Sequence, residues 1–564
     1  MSGYVAYGGA RPLKEPQPAN KPGSVWRTLK HRVFFWLTLA ALVSNIGTWM
    51  QNVGAAWLMT SLSPSPLMVA LIQTSASLPI LLLALPAGAL ADIVDRRRLL
   101  LFSQGWMLIA AGVLGVLTTL HAITPWLLLG LSLALGIGSA MNAPAWQAIV
   151  PELVPREELT AAVSLGGINF NLSRAIGPAL GGLVVAWTGA GATFLLNAAS
   201  FLAVMAVLFE WDRPHTVNVM PAERVMGAIR AGIRYARYAP ALDAVLVRTA
   251  AFIVGASAVW AVLPILARWE LGMGAAGYGG LLAFFGAGAM VAGAALPRLG
   301  QRLSRNAISG VATLCFALAL VGLALTRNLL LVWTLMALAG ASWTVTMTVF
   351  NVAAQLSVPG WVQGRALAVY QVGFQGGMAG GSVLWGWVAE RQGVRMAICY
   401  AAAAVAAGLI TMLRFRLASD SELDLGQFSR PAPKTLFDIH PDAGPVLVTI
   451  EYLIDPKRAR EFAAAMRQMR PIRLRDGAVF WGLFFDAAQP QRFIEYFAVE
   501  SWAEHLRQHY RGVAADRAIE SMVRAYHVGD APPAVTHQLS AQGIEMLDNL
   551  TRILEETETP LRAK

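Results

Sequence analysis

The stretch VFFWLTLAALVSNIGTWMQNVGAAWLM, residues 33–59, runs longer than a bilayer is thick without one charged side chain. A lipid core of roughly 30 Å needs about 20 helical residues to cross, and it offers no water to an unpaired backbone group. Such a run therefore reads as a spanning helix. Working outward, eleven further apolar runs follow near 67–91, 99–120, 125–148, 161–187, 191–210, 246–268, 276–297, 306–326, 329–353, 364–389 and 394–416. The expected fold class is an all-α polytopic membrane protein. Composition agrees: 56% of the 564 residues are hydrophobic and 14% are charged, where soluble chains carry about 25% charged residues.

A net charge of +11 raises the question of nucleic acid, but the placement of the basic residues argues for topology instead, and no nucleic-acid partner is expected. Lys21, Arg27, Lys30 and Arg32 precede the first run, Arg96, Arg97 and Arg98 fill the second loop, and Arg213, Arg224, Arg230, Arg234 and Arg237 fill the middle one. Segments 60–66, 121–124 and 188–190 hold no Lys or Arg. The positive-inside rule then puts both termini in the cytoplasm of a multi-pass inner (plasma) membrane protein. No cleavable signal peptide is evident, because residues 1–25 are rich in Pro and Gly and the first apolar run is full length. Cys315 and Cys399 fall inside spans and read as packing residues. No G-x-x-x-x-G-K-(S/T) phosphate loop occurs, so a nucleotide motor is excluded and an ion or substrate gradient must supply the energy.

The chain repeats itself. Gly88-Ala-Leu-Ala-Asp92-Ile93-Val-Asp95-Arg96-Arg97-Arg98 after the second run is echoed by Gly293-Ala-Ala-Leu-Pro297-Arg298-Leu-Gly300-Gln301-Arg302 after the eighth, 205 residues on. Gln147-Ala-Ile-Val150-Pro151 is echoed by Gln355-Leu-Ser-Val358-Pro359, 208 residues on. Two six-helix halves are expected, at 33–210 and 246–416, behind a cytoplasmic tail over 1–32. Between them, 211–245 carries Val225, Ile229, Ile233 and Tyr235 at helical spacing among arginines, which reads as an amphipathic helix on the cytoplasmic face.

Paired halves with a basic turn after the second helix resemble the major facilitator superfamily, whose loop signature is G-x-x-x-D-(R/K)-x-G-R-(R/K). Gly88, Asp92, Arg96 and Arg97 match it, whereas Ile93 replaces a basic residue and Asp95 the second glycine. The resemblance implies a gating motif here and at Gly293, Arg298, Gly300 and Arg302. In it, glycine lets helices approach, and Asp92 caps a helix start or pairs with arginines to hold the inward side shut. Arg174-Ala-Ile-Gly177-Pro178-Ala-Leu-Gly181-Gly182 resembles the G-P-x-x-G-G core of the exporter motif, with Ser173 where that motif has a further glycine. Ordinary small-residue packing is the other reading of these glycines. Gly136 to Ala145, Pro151 to Pro155 and Phe194 to Phe201 are similar to the drug and siderophore efflux branch that includes the enterobactin exporter. That similarity implies alternating access, and proton coupling is implied by the family alone.

Polar residues at membrane depth are costly, so they are candidates for a substrate path between the halves. Asn45, Trp49, Gln51 and Asn52 lie in the first span, Asn169, Asn171 and Arg174 in the fifth, and Tyr370, Gln371 and Gln375 in the eleventh. For each Asn or Gln the alternative is an interhelical hydrogen bond. Arg174 differs, because no Asp or Glu occurs inside the other spans to neutralise it. It faces an anionic substrate, or it snorkels to the cytoplasmic side or caps carbonyls of a neighbouring helix.

After a linker over 417–444, segment 445–540 reads as a small α+β domain. A strand at 446–454, a helix at 456–470, a hairpin of 478–486 and 492–499, helices within 501–527 and a last strand at 535–539 give the ferredoxin-like order. Glu500-Ser-Trp502-Ala-Glu-His505 resembles a signature of the antibiotic-biosynthesis monooxygenase family, which implies sheet-to-sheet dimers and puts Trp502, His505 and His509 under suspicion. Surface histidines are the favoured reading of His505 and His509, four apart on an expected helix, over a metal site, so neither a metal, a cofactor nor a catalytic residue is expected. A final stretch, 541–564, carries Ile544, Leu547, Leu550, Ile553 and Leu554 on one helical face.

Two functions remain open from sequence. One is a secondary exporter of an amphipathic small molecule, siderophore or drug-like, with a lysolipid flippase as its variant. The other is a membrane-anchored cytoplasmic enzyme or sensor acting through the C-terminal domain.

Overall fold

The computed structural model describes residues 25–211, 225–418, 426–428, 433, 435 and 439–540. The terminal helix expected in 541–564 and the tail before residue 25 lie outside them. Six long helices come first: α1 (Arg32–Leu62), α2 (Pro66–Ile93), α3 (Arg96–Thr119), α4 (Pro125–Leu153), α5 (Leu159–Thr188) and α6 (Ala190–Glu210). After α7 (Val225–Tyr238) come α8 (Pro240–Ile265), α9 (Ala275–Gly300), α10 (Arg305–Leu325), α11 (Leu329–Leu356), α12 (Gln363–Gln392) and α13 (Val394–Gly408), with one further turn, α14 (Thr411–Arg414).

Local chemistry sets the ends. Ser65, Asp95, Thr124, Ser304 and Asn328 accept backbone N–H bonds at the starts of α2, α3, α4, α10 and α11, and Pro66, Pro125 and Pro240 occupy first turns where no N–H is missed. The cap of α3 is Asp95, whose carboxylate accepts from the N–H of Arg98; the Asp92 side chain is outside the described residues. Gly189 (φ 84°) and Gly393 (φ 88°) turn the chain out of α5 and α12 in a backbone region that side chains resist.

Ten helices are long and apolar enough to cross a membrane among the described residues. The two that fall short of the twelve expected are α5 and α12, which hold the same place in the two halves. Both trade aliphatic residues for glycine and polar groups, as helices facing the middle of a bundle do. The seam between the halves is α2 on α12 and α5 on α9; within the halves α1 packs on α5 and α6, and α8 on α12 and α13.

In the C-terminal unit, β1 (Gln427–Phe428) pairs with β5 (Gly512–Val513), and β2 (Val446–Leu453), β3 (Phe480–Phe485), β4 (Arg492–Val499) and β6 (Ala534–Leu539) form an antiparallel sheet in the order β3-β4-β2-β6. Helices α15 (Ala459–Asp476), α16 (Trp502–Tyr510) and α17 (Ala514–Arg524) complete the unit. Alternation does the work: Val446, Val448, Ile450 and Tyr452 of β2 and Phe493, Phe497 and Val499 of β4 point into one core with Phe462 and Met466 of α15.

The apolar face of α7 is turned toward protein. Ala231, Tyr235 and Ala236 are buried while Ile233 is 52% exposed, because α7 lies between α12 and α15. Tyr235 donates to the carbonyl of Ser357 (3.1 Å), and Arg234 bonds Glu504 of α16 (2.9 Å). The end of the bundle that carries α7 and the C-terminal unit is proximal; the other is distal.

Candidate functional site

At the centre of the bundle Arg174 of α5 reaches across the seam and donates to Thr344 Oγ1 of α11 at 2.8 Å. No carboxylate pairs with it among the described residues. An aromatic cluster drawn from both halves includes Phe170, one turn before Arg174 on α5, and Trp343, next to Thr344 on α11. Trp49 of α1 meets Phe170 of α5 (centroids 6.3 Å) and Trp260 of α8 (6.1 Å). Trp260 continues to Phe285 of α9 (5.5 Å) and Trp343 of α11 (5.9 Å), and Trp343 to Phe374 of α12 (6.5 Å). A guanidinium without a carboxylate partner, next to an aromatic cluster, suits a molecule with an apolar body and an anionic or polar group.

The polar candidates divide. Asn197 of α6 donates to buried Gln51 (2.7 Å), and Asn169 donates to the carbonyl of Thr38 (2.8 Å) and accepts from Asn45 (3.4 Å); these bonds tie α1 to α6 and α5. Asn171 bonds its own helix at the Gly167 carbonyl. Asn52 and Gln371 are exposed, whereas Tyr370 and Gln375 are buried. The glycines of the second motif act by close approach. A Cβ on Gly177 would lie 2.5 Å from Trp49 Cβ, one on Gly181 2.7 Å from Met50 Cα, and one on Gly182 2.8 Å from Gly279 Cα; the Pro178 carbonyl lies 2.6 Å from where Gly279 would carry a Cβ.

Sequence reading missed a second arginine. Arg248 of α8 is buried, and it donates to Asn306 (2.6 Å) and Ser309 (2.7 Å) of α10 beside the Phe350 ring. Its partners make it a brace. Asn306 and Ser309, three apart on one helix face, were the available signal.

The distal end is shut. Gly182 and Gly279 touch backbone to backbone, Gly386 of α12 fits against Ala70 of α2, and Trp57 of α1 stacks on Tyr278 of α9 (6.0 Å). Arg268, in the π-helical turn after α8, lies over Trp57 (5.2 Å) and donates to Thr60 (3.0 Å), and Ser65 donates to Glu390 (2.8 Å). At the proximal end the glycines of the seam helices α2 and α9 are free of contacts. Around Gly88, Gly293 and Gly300 a Cβ would meet nothing within 4 Å, and Leu82, Pro86, Leu90 and Val94, one face of α2, are all exposed. Arg96 bonds Glu152 (2.7 Å), and Arg97 caps the carbonyls of Leu208 and Phe209 (both 2.7 Å). These two signature arginines thus brace their own half. Arg298 and Arg302 are exposed.

In the C-terminal unit a cavity of about 420 Å³ opens between the sheet and its helices, lined in part by Tyr452, Arg473, Phe497 and three histidines. His505 and His509 of α16 are joined there by His537 of β6. His505 is 2% exposed, unlike the surface histidine that the sequence reading expected, and burial together with the neighbouring His537 and His509 pushes its pKa down to about 3. One residue before it, burial works against the Glu504 carboxylate, yet Arg511 and Arg234 hold its pKa below the usual range.

A family model described as "transmembrane secretion effector" matches residues 23–544, which takes in the C-terminal unit. The chain is 33% identical over 165 residues to a staphyloferrin A transporter of Staphylococcus aureus, covering 29% of this chain and 42% of that relative. It is 25% identical over 352 residues to the multidrug efflux pump Tap of Mycolicibacterium fortuitum, covering 59% of this chain and 83% of the pump. A crystal structure of a POT family transporter in complex with a thioalcohol-conjugated peptide shares the fold: TM-score 0.57 at 14% identity, over 68% of this chain and 96% of that one.

Proposed function

We propose an exporter, because the chain belongs to the transmembrane secretion effector family of major facilitator transporters. It moves an amphipathic small molecule, siderophore-like or drug-like, out of the cell by alternating access around the centre of the bundle. The observation that carries this reading is Arg174, which bonds Thr344 across the seam with no carboxylate partner among the described residues, close in sequence to members of an aromatic cluster shared by both halves. The names of the relatives, one a staphyloferrin A transporter and one a multidrug pump, point the same way.

With both termini in the cytoplasm, as the basic loops favour, the proximal end is the cytoplasmic one, and a shut distal end with an open proximal one is the state in which an exporter loads. The glycines at 177, 181 and 182 and the loop residues Gly88, Asp92, Arg96 and Arg97 with Gly293, Arg298, Gly300 and Arg302 then gate the path. Trp49 and Arg174 line it, with Asn52, Asn171 and Gln371 exposed along it, and Asn45, Gln51, Asn169, Tyr370 and Gln375 hold its walls. Protons are the coupling ion by family resemblance, and the sequence pattern is similar to that of the enterobactin-exporter branch.

The C-terminal unit is read as ferredoxin-like and related to the antibiotic-biosynthesis monooxygenases, with its sheet pairing against a second copy. Phe480 and Phe484 stack on Tyr496 (5.3 and 5.0 Å) while about half exposed, which suits such a sheet face. Its cavity favours a sensing role beside the transporter. The test compares all small molecules inside and outside cells with and without this protein. Retention of one compound in its absence supports export and names the substrate; an unchanged distribution with a chemically altered compound overturns it. A chain stopped near Leu417 separates the roles: transport that persists but no longer depends on compound level marks the unit as a sensor.

A further inference from the structure

His505, His509 and His537 of the C-terminal unit lie outside the helical bundle, and their arrangement has a chemistry of its own. His505 and His509 stand four apart, on one face of α16, and their Nε2 atoms are 3.3 Å apart. That separation is the edge of a tetrahedron whose centre lies about 2.0–2.1 Å from each nitrogen, the distance of imidazole from Zn²⁺. His537 arrives from β6, its ring centroid 4.7 Å from that of His505, and one ligand atom from each of the three lies within 4.8 Å of the others. A hydrogen bond between two imidazoles accounts for two of these rings. It gives no reason for the third to converge on the same point.

We propose that His505, His509 and His537 form a binding site for one divalent late-transition-metal ion. Three imidazoles without a thiolate or carboxylate in the cluster suit Zn²⁺, Ni²⁺, Cu²⁺ or Fe²⁺ and disfavour Ca²⁺ and Mg²⁺. Three protein ligands leave a tetrahedral ion one open position, and all three histidines line the cavity of about 420 Å³. That cavity also presents Arg473 and Arg524 together with Asp476 and Glu520, beside Tyr452 and Phe497, and Arg473 is already bound to Glu495, so the fourth ligand is a small organic molecule with an oxygen donor and an apolar or aromatic body. The site lies one residue from Glu504, whose bond to Arg234 joins this unit to α7.

The test uses the tag-free full-length protein in detergent, stripped with a chelator and then titrated with Zn²⁺ by calorimetry and with Co²⁺ by visible ligand-field absorption. The expected result is one ion per chain and a tetrahedral Co²⁺ spectrum. His505 is buried and its substitution can disturb packing, so part-buried His537 carries the test. His537→Gln, with an unchanged circular-dichroism spectrum, lowers affinity at least tenfold and removes the Co²⁺ band, while exposed His440→Gln changes neither. Absence of a stoichiometric ion in the wild type, or wild-type affinity in His537→Gln, overturns the proposal.

Discussion

At the distal end of the bundle Gly182 meets Gly279 and Gly386 meets Ala70, whereas at the proximal end Gly88, Gly293 and Gly300 face empty space. Both sets stand on helices of the seam between the halves. Small residues that touch nothing serve no packing purpose in this state; the alternating access proposed above gives them one in the other state, where the proximal end closes and the distal end parts. The contrast extends to charge. Arg268 reaches across the halves to Trp57 and Thr60 at the shut end, while Arg96 and Arg97 at the open end bond within their own half. A transporter must keep its two states within a few kcal/mol of each other, and a seal of glycine contacts, one stacked ring pair and one cation–π contact is of that size.

Four substitutions act on this contrast. Gly182→Leu is expected to have the largest effect. Its side chain would run into Gly279, and overpacking of about 1–3 kcal/mol disfavours the shut distal end by roughly 5- to 150-fold. Transport should be nearly lost, and Met273→Cys, in a Cys315→Ser, Cys399→Ser background, should label faster with an impermeant thiol reagent. Arg174→Met sits between the ends and leaves the distal labelling as it was. It removes a charge-assisted bond of about 1.5–3 kcal/mol, so transport is expected to fall roughly 10- to 100-fold. Trp57→Ala removes the stack on Tyr278 and the contact with Arg268, about 1–2 kcal/mol together; labelling at residue 273 should rise several-fold with transport reduced rather than lost. Gly88→Ala is the smallest: thermal stability should stay within about 0.5 kcal/mol of wild type, and turnover should slow severalfold as the proximal end closes on the added methyl.

Much of this was legible before the structure. Long apolar runs gave the long helices, and the alternation through 446–454 and 492–499 gave the central strands. What escaped was whatever depends on contacts between distant segments. Trp260 and Trp343 look like any core tryptophan until α8 and α11 bring them together at the centre. Arg248 and Arg174 are the same residue type inside apolar runs, and only the partners, Asn306 and Ser309 for one and Thr344 for the other, set them apart. Asp92 and Asp95 both fit a helix start, and the described contacts give the cap to Asp95. His537 follows His509 by 28 residues and lies on an edge strand, where no periodicity marks it as a third member.

The most direct test of alternating access is a pair of spin-label distances in one purified preparation: Gly88→Cys with Gly293→Cys across the proximal end, and Ser63→Cys with Met273→Cys across the distal end. Both distances are measured with and without a transported compound, at two pH values. The account predicts opposite movements, the proximal distance shortening as the distal one lengthens. Distances that stay fixed, or that lengthen together, would contradict it.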